Sequence, residues 1–544
     1  MEINNFIKTI MEEDIKSGKH TEIITRFPPE PNAYLHIGHA RAIITNFELA
    51  KCFNGKTILR FDDTNPAKEE KRFQEAIIND IKWLGYTPCK ITFGSDYFDD
   101  QYEKAVALIK EGLAYVDDLT KDELKEYRGT LDTPGKDSPY RNRSIEENLR
   151  LFEEMKEGKY QEGEKTLRVK IDMSSSNLNM RDPAIYRIIN KPHPHTGNKW
   201  NIYPLYDYAH PLQDANEHIT HSLCSLEYVE HRPLYDWVIE HTHPVSIPRQ
   251  IEFGRLNIEG TILSKRYLKQ LVDEHLVDDY DDPRMPTLVG LKRRGYTPES
   301  IKEFILSTGL ARMNTEIPFN VLDHYLMDDL KIKVVRRMAV ISPLKVTITN
   351  YPKDLIEHFS FPNNLENPDL GSREISFSNT LYIEKDDFTP VKPNNKYKRL
   401  SLGEEVRLMG AYFIKANDVK YDENNEVCEV LCTYDKETLS GSGFNERKPQ
   451  GTIQYVDAKT AKEATFYLFD SLLKEDATDE MTLEEKINPN SRAVVKGYVE
   501  EAYDPKSEVK SQLIRNGYFS NDYNSKEDDI IINRTVSLKG TIKK

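Results

Sequence analysis

Pro28-Pro29-Glu30-Pro31-Asn32-Ala33-Tyr34-Leu35-His36-Ile37-Gly38-His39 is the stretch from which the fold of this chain is read. Ahead of it, the apolar run Ile23 to Phe27 reads as a buried strand. Behind it, Ala40 to Cys52 places Ile43, Ile44, Phe47 and Leu49 at helical spacing. Lys56 to Phe61 then reads as a second strand, and Ala67 to Leu84 as a second helix. Strand, turn, helix, strand, helix is a βαβ pattern, and it predicts a parallel sheet. In such sheets ligands bind where strands give way to helices. A helix N-terminus offers unpaired N–H groups and a positive dipole end, so phosphates are favoured there. Gly38 leaves room for close approach, and His36 and His39 can donate to a phosphoryl group as its charge grows.

A second chemical segment is Gly260-Thr261-Ile262-Leu263-Ser264-Lys265-Arg266, directly after the expected strand Ile251 to Asn257. Lysine is a compact charge on a flexible stem, suited to following an α-phosphate and pyrophosphate as they separate. Read alone, Ser-Lys-Arg is an ordinary surface helix start. Between the two segments, residues from about 100 to 200 are charged and turn-rich, as in GTLDTPGKDSPYRNRS, and suggest an insertion. Sheet-like character returns over Asn201 to Tyr208 and Gln250 to Asn257, and Ser264 to Asp329 is largely helical. Beyond Lys331 strands alternate with turns. Val406 to Tyr421 and Val427 to Tyr434, joined through Asp422-Glu423-Asn424-Asn425, form the clearest hairpin. An α/β front and an all-β rear make at least two modules, without internal repeats.

Composition bounds the rest. A chain of 544 residues predicts three or four domains, and a hydrophobic fraction of 38% is enough for several cores. No apolar run approaches the roughly 20 residues of a membrane span, and the N-terminus lacks a secretory h-region. The five cysteines, Cys52, Cys89, Cys224, Cys428 and Cys432, are too few and scattered for a disulfide framework, which points to a reducing cytosol. Cys428 and Cys432 stand without a second Cys or His pair, so strand packing is expected of them rather than zinc. A net charge of −15 excludes a protein that coats nucleic acid indiscriminately but permits a local basic face. Candidates for that face are Lys292-Arg293-Arg294, Arg336-Arg337 and Lys396 with Lys398-Arg399.

The two segments resemble the HIGH and KMSKS signatures of class I aminoacyl-tRNA synthetases. The HIGH tetrad His36 to His39 is intact, whereas the KMSKS loop is the variant Ile262-Leu263-Ser264-Lys265-Arg266, which lacks the first lysine. The stretches PPEPNAYLHIGHARA, LRFDDTNP, EYRGT, NKWNIYPLYDYAH, ITHSLCSLEY and DDPRMPTLVGLKRRGYT, with KYKRL and INRTVSL near the end, are similar to glutaminyl-tRNA synthetases. The resemblance covers essentially the whole chain. It implies a Rossmann-like α/β catalytic domain over 1–99 and 201–260, and an inserted acceptor-end-binding domain over 100–200. A helical connecting domain over 261–332 and a pair of anticodon-binding β-barrels over 333–544 complete the expected fold. It also implies a cytoplasmic monomer that uses ATP with Mg²⁺, L-glutamine and tRNA(Gln), and that activates glutamine only once tRNA is bound.

Site roles follow from the same resemblance. His36, His39 and Lys265 are the expected catalytic residues. Glu30, Pro31, Asn32, Ile37, Gly38, Ala40, Arg41, Ala42, Ser225, Arg255, Leu256, Leu263 and Ser264 join them as ATP contacts. Asp62 is expected to hold the substrate ammonium, with Arg26, Tyr206, Cys224 and Gln250 as further pocket residues. Arg336, Lys398, Arg399, Gln512 and Arg515 match residues that face the anticodon, which suits a module reading splayed RNA bases.

The choice of amino acid has a physical side. A glutamate pocket is expected to place a cation on the side-chain carboxylate, whereas glutamine's amide needs both donors and acceptors. Glutamyl enzymes of this subclass typically carry arginine where this chain has Cys224, so the pocket is expected to lack a fixed positive charge. The Tyr206 hydroxyl both donates and accepts, and a site built on hydrogen bonds rejects a competitor that leaves them unpaired. A glutamyl enzyme, a nucleotidylyltransferase and a non-catalytic RNA scaffold are the rival readings. The β-rich rear speaks against the second, and the intact His36, His39 and Lys265 against the third.

Overall fold

The computed structural model describes residues 3–67 and 70–538. The chain divides into two compact units, Met1–Ile258 with Ile305–Ile317, and Glu259–Phe304 with Pro318–Lys544.

The first unit opens with helix α1 (Phe6–Lys16), followed by strand β1 (Ile24–Phe27), helix α2 (Ile37–Cys52), strand β2 (Lys56–Phe61), helix α3 (Lys71–Trp83) and strand β3 (Lys90–Phe93). β1, β2 and β3 form a parallel sheet in that order, with Arg26 opposite Ile58 and Leu59 opposite Ile91. The expected βαβ pattern is therefore present. α2 starts three residues ahead of expectation because His36 caps it, and α3 is shorter than the expected Ala67 to Leu84. Lys68 and Glu69 of that expected helix lie outside the described residues.

Helix α4 (Phe98–Lys110) leads to strand β4 (Ala114–Asp117), helices α5 (Lys121–Arg128) and α6 (Ile145–Lys156), and strands β5 (Thr166–Val169), β6 (Ala184–Ile188) and β7 (Ile202–Pro204). β4 to β7 form an antiparallel sheet. It packs with Phe98, Leu108, Phe152 and Met155 in a core separate from the one that buries Ile7 and Met11 of α1. The sheet-like reading of Asn201 to Tyr208 holds only through Pro204. From Tyr206 the chain is helix α7 (Tyr206–Asn216), with Tyr208, Leu212 and Ala215 buried at helical spacing. Helical burial overrides the β preference of the aromatics here.

Strand β8 (His221–Ser225), helix α8 (Arg232–Thr242) and strand β9 (Arg249–Phe253) follow, with β8 and β9 parallel and Ser222 opposite Gln250. β8 adjoins β1 through Thr220, whose N–H donates to the Ile24 carbonyl at 2.9 Å while its hydroxyl accepts from the Ile24 N–H at 2.9 Å. The expected strand Ile251 to Asn257 breaks at Gly254 and resumes as β10 (Leu256–Ile258), parallel to β11 (Thr315–Ile317). Close approach of the chain requires the glycine there. A Cβ at Gly254 would stand 1.7 Å from the Met313 carbonyl oxygen, a contact no other residue could make.

The second unit begins with the KMSKS-like segment and helix α9 (Lys265–Asp273), which buries Leu268 and Leu271. Further helices are Leu288–Arg294, Pro298–Ser307, whose C-terminal end belongs to the first unit, and Phe319–Leu330. Two seven-stranded sheets fill the rear. One contains Val335–Arg337, Lys462–Phe469, Arg492–Val499, Lys510–Leu513, Gly517–Asn521 and Ile530–Val536. The other contains Pro343–Ile348, Thr380–Glu384, Glu405–Leu408, Phe413–Tyr421 and Val427–Asp435. Each encloses its own apolar core, as a barrel-like sheet must. The expected hairpin pairs Phe413–Tyr421 with Val427–Asp435, but Val406 belongs to a separate strand ended by the turn before Tyr412. Cys432 packs in the core as expected, whereas Cys428, nearer the hairpin tip, is exposed.

Candidate active site

The HIGH turn is built by backbone capping. His36 is extended (φ −125°, ψ 174°) and caps α2, its Nδ1 accepting the Gly38 N–H at 3.1 Å. His39 reaches back, its Nδ1 accepting the His36 N–H at 3.2 Å, and the two rings lie 3.8 Å apart. An Nδ1 that accepts leaves Nε2 to carry the hydrogen of a neutral ring. The cap thus fixes which ring nitrogen carries the hydrogen.

Around this turn the other expected ATP contacts divide. The Asn32 amide donates to Glu30, and the Pro31 carbonyl accepts the Glu70 N–H at 3.2 Å. Ile37 and Ala40 are wholly buried, so only their backbone can meet a ligand. Arg41 is 2% exposed and its guanidinium donates to the Thr308 hydroxyl at 3.0 Å and the Gly309 carbonyl at 2.9 Å. Burial lowers its pKa to about 10. The side chain therefore ties α2 to the residues just after Ser307. Ala42 holds the helix through its carbonyl, which accepts from Asn46 at 2.9 Å. Ser225 donates to Glu227 at 2.8 Å, and Arg255 pairs with the same Glu227 at 3.1 Å, so these two are brought together. Leu256 is buried in β10. Leu263, Ser264 and Lys265 lie in the second unit, with Ser264 and Lys265 exposed at the start of α9.

Asp62 follows β2, and its N–H donates to the Pro29 carbonyl at 3.0 Å, which ties it to the HIGH turn. The Thr64 hydroxyl donates to its carboxylate at 2.9 Å. Desolvation outweighs that bond and pushes the Asp62 pKa up to about 6.

The other expected pocket residues meet a buried ionic network. Arg26 is wholly buried on β1. It donates to Asp214 at 3.0 Å, the Leu223 carbonyl at 2.7 Å, the Ser222 hydroxyl at 2.7 Å and the Cys224 sulfur at 3.4 Å. Asp214 also accepts from Arg60 at 2.6 Å, Ser222 at 2.6 Å and Tyr235 at 3.0 Å. Arg60 donates in turn to Glu217 at 2.6 Å. Despite burial, the two guanidinium groups hold the Asp214 carboxyl well below its usual range. The Tyr206 ring stacks on His210 at 4.9 Å and leans on Tyr228 at 5.2 Å. Burial drives the Tyr206 pKa well up and lowers that of His210, so both rings are neutral. Gln250 donates to Glu252 at 3.0 Å and to the Tyr228 carbonyl at 3.3 Å.

This geometry corrects one expectation. A fixed positive charge does stand beside Cys224, because Arg26 touches it. What makes the neighbourhood neutral is Asp214, which sequence reading missed. A signal was available: His210 and Asp214 are four residues apart on one helix, and a His and an Asp at that spacing share a face.

In the second unit the expected anticodon residues form two groups. Arg336 lies opposite Gln512 in register and pairs with Glu366 at 2.6 Å. Arg515 grips Asp387 with two bonds of 2.7 and 2.8 Å, and Arg399 approaches the same carboxylate at 3.4 Å. Lys398 is exposed beside Arg399.

Comparison with known proteins places these features. The family model for the catalytic domain of class I tRNA synthetases (E and Q) matches residues 22–332, and the models for their anticodon-binding domains match 334–435 and 452–522. The glutamine–tRNA ligase of Clostridium perfringens is 54% identical over 544 residues, 99% of this chain and 98% of that relative. That of Clostridioides difficile is 52% identical over 545 residues, again 99% and 98%. A solved glutamate–tRNA synthetase from Elizabethkingia anophelis, at 17% identity and a TM-score of 0.42 over 57% of this chain and 71% of that one, is too distant to weigh. This chain belongs to the class I tRNA synthetases of the glutamate and glutamine subclass, in the family of the glutamine–tRNA ligases.

Proposed function

We propose that the chain joins L-glutamine to the 3′-terminal adenosine of tRNA(Gln) in two steps, with its own residues dividing the work as follows. Glutamine's carboxylate attacks the α-phosphorus of ATP, giving glutaminyl-adenylate and pyrophosphate. His36 and His39 donate through Nε2 to phosphate oxygens, and Lys265 follows the charge as pyrophosphate leaves. Mg²⁺ enters as part of the nucleotide substrate. Asp62 holds the α-ammonium, and Tyr206 with Gln250 reads the side-chain amide. The 2′-hydroxyl of the terminal adenosine then attacks the activated carbonyl and releases AMP. No protein nucleophile is required, because positioning and fixed dipoles lower both barriers.

Full-length kinship to glutamine–tRNA ligases carries the choice of amino acid. The Arg26–Asp214 pair supports it physically. A cation whose charge is already matched has nothing left to offer a glutamate carboxylate, and bringing that carboxylate in would strand a buried negative charge. Arg399, Arg515 and Lys398 in one group, with Arg336 and Gln512 in the other, are assigned to the anticodon. The domain limits read from the sequence, the Rossmann-like character of the parallel sheet, a monomeric state and a cytoplasmic setting complete this reading. Aminoacylation of total tRNA with labelled glutamine and glutamate in parallel is the direct test. Equal loading of the two would overturn the assignment. Pyrophosphate exchange is expected only with tRNA present, and robust exchange without it would remove the tRNA-first order.

A further inference from the structure

Outside the residues assigned to aminoacylation, the N-terminal helix carries a cluster of ligand-type side chains. α1 buries Ile7, Met11 and, on the same stripe, Asp14. The turn behind the helix folds back, with the His20 N–H donating to the Asp14 carbonyl at 3.3 Å. His221 opens β8 and is wholly buried, with Nε2 3.2 Å from the Asp14 carboxylate and Nδ1 2.9 Å from the Thr220 hydroxyl. The rings of His20 and His221 meet edge to face at 5.3 Å. His20 Nε2 is buried and has no hydrogen-bond partner among the described residues. One ligand atom from each of the three side chains lies within 4.8 Å of the others.

We propose that Asp14, His20 and His221 form a binding site for a divalent transition-metal ion of the zinc type. Two imidazoles and one carboxylate are borderline ligands that select zinc, cobalt or nickel over magnesium and calcium. The separation of 3.2 Å between His221 Nε2 and the Asp14 oxygen suits two ligands each about 2 Å from one ion at a near-tetrahedral angle. The Thr220 hydroxyl on Nδ1 orients the His221 ring, as outer partners of metal-binding histidines do.

Two cations bear on the site. Arg249 approaches the Asp14 carboxylate at 3.2 Å and Lys19 at 3.6 Å, and both are more than two-fifths exposed on long stems. They balance Asp14 when no ion is present and swing toward solvent when one arrives. This competition sets the affinity below that of a closed structural zinc site. The ligands come from α1, from the turn behind it and, 207 residues beyond Asp14, from β8. An ion here staples the N-terminal helix to the strand that carries Ser222 and Cys224.

The test is titration of the full-length protein, stripped with a chelator and desalted, with Co²⁺ and then Zn²⁺. One equivalent of Co²⁺ is expected to give visible d–d absorption without a thiolate charge-transfer band, and Zn²⁺ to displace it and raise the melting midpoint. His20→Gln, at a partly exposed position that should tolerate it, and Asp14→Asn are each expected to weaken binding by at least about tenfold. His221→Asn should do the same if it folds. The proposal is overturned if the wild-type protein shows neither the spectrum nor the Zn²⁺ shift, or if His20→Gln binds as tightly. A thiolate band would place the ion on exposed Cys52, Cys89 or Cys428 and overturn it equally.

Discussion

At the scale of single residues, the site is set by which hydrogen sits on which atom. His36 and His39 each spend Nδ1 on a backbone N–H, and their proposed phosphate contacts are made through Nε2. Lys265 supplies a charge that neither ring can. Lys265→Ala is expected to slow adenylate formation by at least about a hundredfold in single-turnover assays, with tRNA affinity nearly unchanged. An unchanged rate would remove Lys265 from the chemistry. Asp62 makes a prediction about pH. Its carboxyl titrates at about 6 in the folded protein and near 4 when unfolded, so the native state holds the proton more tightly. Its contribution to stability is full below pH 4 and is lost as pH rises through 6. Asp62→Asn should therefore raise the melting midpoint relative to wild type at pH 8 but not at pH 4. In the proposed role of Asp62, the same titration acts on function in the opposite sense. Only the carboxylate holds an ammonium, so kcat/KM for glutamine should fall as pH drops below about 6.

At the scale of elements, α7 joins the proposed pocket to the core. One face buries Tyr208, Leu212 and Ala215, and His210 and Asp214 meet β1 and β8 through Arg26 and Ser222. Asp214→Asn leaves Arg26 and Arg60 sharing one lost charge. Removing one partner of such a buried pair costs about 3–5 kcal/mol, which denaturant unfolding will measure. In the protein that remains folded, charging of glutamate relative to glutamine is expected to rise, because Arg26 gains an unmatched charge. A large loss of stability with unchanged amino-acid preference would leave Asp214 a purely structural residue. Ser222→Ala, which keeps every charge, should shift the preference far less.

At the scale of the whole molecule, a net charge of −15 means that tRNA is held by local patches against a repulsive background. Binding should weaken steeply with salt, since each neutralised phosphate releases counterions. Arg515 and Arg399 share Asp387, which orients two guanidinium groups and offsets part of their charge. Such an arrangement suits the reading of bases better than the gripping of phosphates. Arg515→Ala should cost about 1–3 kcal/mol in kcat/KM for tRNA, with the KM for ATP unchanged and the salt slope little altered. A slope reduced by about one would instead identify a phosphate contact.

Much of this was legible in the chain as written. The period of apolar residues from Ile23 to Phe61 is local, and it defined the parallel βαβ start and the turn that carries His36 and His39. The neutral residue at 224 was equally plain, because residue identity needs no fold. Tertiary contact decided the rest. Residue 254 must be glycine because Met313, 59 residues later, brings its carbonyl against it. Tyr206 joins a helix because its neighbours have a core to bury against. Above all, Arg26, Arg60, Asp214 and Glu217 are scattered in sequence, and each read alone is an ordinary charged residue. Their charges cancel only where the folded chain excludes water, and there a matched pair and a bare cation are different chemistry.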